Sequence, residues 1–102
     1  DVAFEGCMMD YLSLSESKLD RVRFERCRLR ESLWVNAKLG RVDFGDAELT
    51  QSEWDFTPLK GQNLSLCRIE GIRIALPDLF GVKLASEQLT ALSGLLGVTI
   101  VD

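Results

Sequence analysis

Apolar residues recur along this chain at every fifth position. From Phe4 the series runs Phe4, Met9, Leu14, Leu19, Phe24, Leu29, Trp34, Leu39, Phe44, Leu49, Trp54, Leu59, Leu64, Ile69, Ile74, Leu79 and Leu84, without one polar residue. At 46% hydrophobic content, chance would give such a run roughly twice in a million trials, so the period is real. The position two residues earlier is also restricted, mostly to small or β-branched residues such as Val22, Cys27, Ser32, Ala37, Val42 and Ala47. A spacing of two places both residues on one side of a short extended segment. The remaining three residues of each pentad turn the corner and face water.

A period of five fits no helix, and an unbent strand would continue its period of two, so the chain must bend after every pentad. Every twentieth residue is alike: Phe4, Phe24 and Phe44 form one column, and Leu19, Leu39, Leu59 and Leu79 another. Four sides per turn follow. In the third column, tryptophan centres (Trp34, Trp54) are preceded two residues earlier by serine (Ser32, Ser52). The smaller centres Leu14 and Ile74 are instead preceded by Leu12 and Ile72, so volume is conserved layer by layer. Residues 2–86 are therefore expected to form an all-β square solenoid of about four and a quarter coils, with neighbouring coils about 4.8 Å apart.

The period changes after Ser86. Ser86 suits an N-cap with Glu87 in the first turn, and Leu89, Leu92, Leu95 and Leu96 follow at helical spacing up to Gly97. Val98-Thr99-Ile100-Val101 is apolar and β-branched enough to predict a terminal strand. Residues 87–102 thus read as a helix and strand that cap the open end of the solenoid. The first residue is Asp1 and the repeat is already in phase by Val2, from which a longer chain with an upstream coil is expected.

Composition adds mainly exclusions. The 102-residue chain reads as one domain with one core. With no apolar run of about 18 residues and no charged-then-apolar leader, it reads as soluble, without a membrane partner or signal peptide. Three cysteines without a C-x-x-C spacing fit a reducing, cytoplasmic setting rather than a disulfide framework or zinc site. Cys7, Cys27 and Cys67 share one inward column with Ala47 and read as core fillers. There is no histidine, which removes the commonest general base and metal ligand. Glu53 and Asp55 flank Trp54 as an outward carboxylate pair with no cleft to work in. Gly61, Gly71 and Gly81 recur at the fifth pentad position as corner residues, not as a phosphate loop. No enzyme, metal or cofactor is expected.

Charge is banded. Residues 22–41 carry Arg23, Arg26, Arg28, Arg30, Lys38 and Arg41 against Glu25 and Glu31, a balance of +4. Residues 42–61 carry Asp43, Asp46, Glu48, Glu53 and Asp55 against Lys60, a balance of −4. Stacking at twenty residues lays Arg23 over Asp43, Arg26 over Asp46, Arg28 over Glu48, Asp10 over Arg30 and Glu53 over Arg73. The expectation is that cross-coil ion pairs neutralise much of the acidic belt. The side bearing Lys18, Arg21, Lys38, Arg41 and Lys60 is the candidate for binding phosphate, although the overall charge of −4 argues against a nucleic-acid partner.

Pentads such as Ala47-Glu48-Leu49-Thr50-Gln51 and Ala37-Lys38-Leu39-Gly40-Arg41 resemble the A-(D/N)-L-x-x unit of the pentapeptide-repeat family. The resemblance covers residues 2–86 and implies a right-handed quadrilateral β-helix. It is looser at the second pentad position, where Asp or Asn appears only at Asp43, Asn63 and Asp78, and Gln62 and Pro77 depart from the inward pattern. The carboxyl end, from Thr57-Pro58-Leu59-Lys60-Gly61 through Leu95-Leu96-Gly97-Val98, is similar to bacterial members, including the quinolone-resistance type that bind DNA gyrase. That likeness implies a homodimer contact through the leucines of the terminal helix. The expected function is a non-catalytic protein-interaction or scaffold module with Asp43, Asp46, Glu48, Glu53 and Asp55 as its partner-binding surface. The alternatives are a DNA mimic that binds gyrase and confers quinolone resistance, and a structural spacer in a larger protein.

Overall fold

The computed structural model describes residues 1–101 and measures 43 × 25 × 23 Å. Its strands are short and all pair in parallel with a register of twenty. β1 (Val2–Glu5), β4 (Val22–Glu25) and β7 (Val42–Asp43) form the first side of the square. On the third side β2 (Ser13–Ser15), β5 (Leu33–Val35), β8 (Glu53–Asp55) and β9 (Arg73–Ile74) stack in turn. The fourth side begins with β3 (Lys18–Leu19) against β6 (Lys38–Leu39). Single bridges Met8–Arg28, Arg28–Glu48 and Glu48–Arg68 make the second side, and an Asn63–Lys83 bridge extends the first.

All seventeen pentad centres lie in or against one continuous core. Phe4, Phe24 and Phe44 stack with centroids 5.4 and 5.6 Å apart, and Trp34 lies on Trp54 at 4.6 Å with 7° between planes. The serine–tryptophan pairing is more than a matter of volume: each indole N–H donates to the serine hydroxyl two residues earlier, at 2.9 Å in both coils. A buried N–H that lacked such an acceptor would be costly.

The corners explain the outward residues. At the fifth pentad position Tyr11, Glu31 and Gln51 adopt left-handed backbone, in register with Gly71 at φ +75°, which permits a sharp bend after so short a strand. Where the second pentad position is Asp43 or Asn63, its side-chain oxygen accepts the N–H of Gly45 or Ser65. These are local Asx bonds, and they give a different corner.

The carboxyl end departs from expectation in three places. Pro77 does not face the core; it is exposed in a short helix, α1 (Leu76–Leu79), that replaces an extended side. Proline cannot donate a ladder hydrogen bond but suits a helix's first turn, where it sits here. Gln62, by contrast, remains inward and buried, donating its amide to the Leu39 and Gly40 carbonyls.

The predicted terminal helix is a 3₁₀ helix (Ser86–Leu92) followed by α2 (Ser93–Leu96), and its N-cap position falls on Ala85 rather than Ser86. Its inward face is Gln88, Leu92 and Leu95, while Leu89 and Leu96 are exposed. Gln88 fastens this cap. Its Nε2 donates to the Leu64 and Cys67 carbonyls at 2.7 and 2.8 Å, and its Oε1 accepts the Ala85 N–H.

No strand forms over residues 98–101. The left-handed Gly97 ends α2, the Val98 N–H returns to the Ser93 carbonyl, and Ile100 and Val101 face solvent without an edge to pair with.

Candidate functional site

The five carboxylates of the acidic belt project from the third coil. Asp43 leaves the first side, Asp46 the following corner, Glu48 the second side, and Glu53 and Asp55 the third. The belt therefore wraps around the rod. Register places Arg23 over Asp43 and Arg28 over Glu48 as expected, yet the arginines go elsewhere. Arg23 pairs with Glu25 in its own coil at 2.9 Å. Arg26 bonds Glu5, Arg28 joins Arg30 on Asp10 at 2.9 Å each, and Arg41 reaches Asp20 at 2.9 Å; of these, the Arg30–Asp10 pair is the one that the register predicts.

The expected neutralisation is thus overturned for most of the belt. Among the described residues, Glu53 with Arg73 at 3.6 Å is the belt's one ion pair, and Asp43, Asp46, Glu48 and Asp55 have none. The cause is local. Asp10 accepts the Arg30 backbone N–H, which orients its carboxylate, and with both guanidinium groups in place its side chain is only 15% exposed. Asp46 uses Oδ1 to accept the Arg26 backbone N–H at 2.8 Å, and Asp43 uses Oδ1 for Gly45. Hydrogen bonds from Arg30 and Arg41 hold the Asp10 and Asp20 carboxyls, respectively, below the usual aspartate range.

The remaining candidates separate clearly. Cys27 and Cys67 are buried and Cys7 half-buried, and all three are free thiols. Burial pushes the Cys67 thiol up to about 12, which keeps it protonated and unreactive. Glu53 and Asp55 flank the buried Trp54 and point outward. Of the four terminal leucines, Leu92 and Leu95 are consumed by the cap, leaving Leu89 and Leu96 on the surface beside Val98 and Ile100.

A four-sided parallel solenoid with pentad corners is a quadrilateral β-helix. The chain belongs to the pentapeptide-repeat family: the family described as Pentapeptide repeat region matches residues 1–54. A comparison with curated protein sequences finds no match. Among solved structures the chain is similar to trypsin-treated QnrB1, a plasmid-mediated fluoroquinolone resistance protein, at 16% identity and a TM-score of 0.30, over 98% of this chain and 70% of that one.

Proposed function

We propose that this chain is a non-catalytic protein-interaction module whose contact surface is the carboxylate band of the third coil. One observation carries the reading: the arginines of the second coil are satisfied by Glu5, Asp10, Asp20 and Glu25, which leaves Asp43, Asp46, Glu48 and Asp55 to meet a partner. Fixed, unneutralised carboxylates on a rigid scaffold favour a cationic protein surface. The three free thiols fit a reducing compartment, and a cytoplasmic setting belongs to the same proposal. The exposed Leu89, Leu96, Val98 and Ile100 are the surface for a homodimer contact, which sedimentation of wild type against Leu89→Ser and Leu96→Ser would reveal.

The same unpaired carboxylates favour a second reading, in which the rod mimics DNA and occupies the DNA-binding surface of gyrase. The experiment compares wild type with an Asp43→Asn, Asp46→Asn, Glu48→Gln, Asp55→Asn variant. Wild type is expected to cross-link to a basic partner and the variant to lose it with its melting unchanged. Equal cross-linking by both would remove the band as the contact surface. For gyrase specifically, wild type should alter supercoiling and quinolone response; no effect at micromolar protein would end that reading.

A further inference from the structure

The fourth side of the rod carries cations that no carboxylate meets. Lys18 and Lys38 are register partners on β3 and β6, so two like charges leave adjacent coils about 4.8 Å apart, an arrangement that works against folding. Lys60 lines the same groove one coil further on. Every arginine between residues 23 and 41 has a carboxylate partner, whereas among the described residues none of these three lysines does. Glu16 borders the groove too but forms no ion pair with them.

Beside the lysines the surface turns apolar. Phe56 opens into this groove and is 76% exposed. Twenty residues on, Leu76 at the start of α1 is exposed, and so is Phe80 at its end, beside Gly81, whose backbone lies against Lys60. Large apolar side chains gathered on one face of a small protein mark a contact surface. A row of unpaired lysines running into an apolar strip is a composite feature, and its two halves ask for a ligand with both characters.

We propose that this side is a docking groove for an acidic segment of a partner protein that also bears apolar side chains. Its carboxylates would meet Lys18, Lys38 and Lys60, and its apolar residues would cover Phe56, Leu76 and Phe80. Charge complementarity selects an anionic occupant. The rod's own charge of −4 and its carboxylate band repel a polyphosphate more strongly the longer it is, and three lysine contacts hold a nucleic acid weakly at physiological salt. A short acidic peptide meets little of that repulsion, and it supplies the side chains that the apolar strip requires. The groove's lysines lie on the fourth side and the band on the other three, and the two surfaces meet only at the corner where Phe56 follows Asp55.

The test uses a fluorescent synthetic peptide alternating glutamate with leucine and phenylalanine, titrated with the full chain at two salt concentrations. Saturable binding that weakens with salt is expected. It should fall by at least about tenfold in Lys18→Glu, Lys38→Glu protein and fall in Phe56→Asn, where asparagine tolerates the left-handed backbone of that position. Melting of the variants is followed in parallel, and Lys18→Gln, Lys38→Gln serves if the glutamate pair does not fold. Lack of saturable binding by wild type overturns the proposal, as does unchanged binding by the folded lysine variants. Tighter binding of a single-stranded oligonucleotide of the same length at the same lysines would also overturn it, in favour of a nucleic-acid ligand. Partner contacts made by Asp43, Asp46 and Glu48 of the carboxylate band should be unaffected by the lysine substitutions.

Discussion

Trp54 donates its indole N–H to the Ser52 hydroxyl at 2.9 Å, and Ser52 in turn donates to the Leu49 carbonyl at 2.7 Å. Both side chains are closed off from water, so neither bond has a substitute. Ser52→Ala would leave the indole N–H without an acceptor and open a small void, costing about 1–3 kcal/mol of stability. Chemical denaturation measures this. Ser15→Ala, on an exposed strand position, should stay within about 0.5 kcal/mol; equal effects at the two sites would mean that the buried serine contributes only volume.

Gln88 makes the corresponding connection at the carboxyl end. Gln88→Ala removes the side-chain donor to the Leu64 and Cys67 carbonyls, of which Leu64 keeps the Cys67 N–H, and deprives the cap of its anchor. The expected result is faster amide hydrogen exchange across residues 86–96 with protection retained in the second and third coils. Uniformly faster exchange along the whole chain would show that cap and coils open as one unit instead.

Acid should weaken the fold through Asp10 and Asp20. Both carboxyls are held below the ordinary aspartate value of about 3.9, chiefly by side-chain hydrogen bonds from Arg30 and Arg41. In the folded chain they stay charged at pH values where the unfolded chain takes up protons. Their contribution is therefore complete above about pH 5 and is lost as pH falls through about 4 towards the folded values. Thermal melting of wild type should decline through that window, and Asp10→Asn, Asp20→Asn protein should start lower and decline less. A parallel decline in the two proteins would place the acid sensitivity elsewhere.

The inward columns were legible in the sequence because each imposes the same steric demand once per coil, so seventeen positions give one consistent answer. The choice of ion-pair partner was not. Arg23, Arg26 and Arg28 have carboxylates at a separation of twenty only in the third coil, yet they pair off register with Glu25, Glu5 and Asp10, and the decision rests on details such as the partial burial of Asp10 and the backbone bond already held by Asp46. Gln88 escaped for a different reason. Counting leucines at helical spacing assigns the inward face to Leu89 and Leu92 together, whereas the cap rotates so that a glutamine with three hydrogen bonds takes the buried place. The β-branched run at 98–101 shows that strand propensity without an available edge yields no strand.

The twenty-residue register behaves like a screw thread. Excising one pentad would keep the apolar positions in step but swing everything downstream through a quarter turn. The carboxylates of the third coil would then point in new directions relative to Lys18 and Lys38, and removing four pentads would bring them back into line one coil closer. The remainder after dividing a segment's pentads by four is thus an angular setting, and only whole multiples of four keep the phenylalanine and tryptophan columns stacked on themselves while the surface features stay aligned.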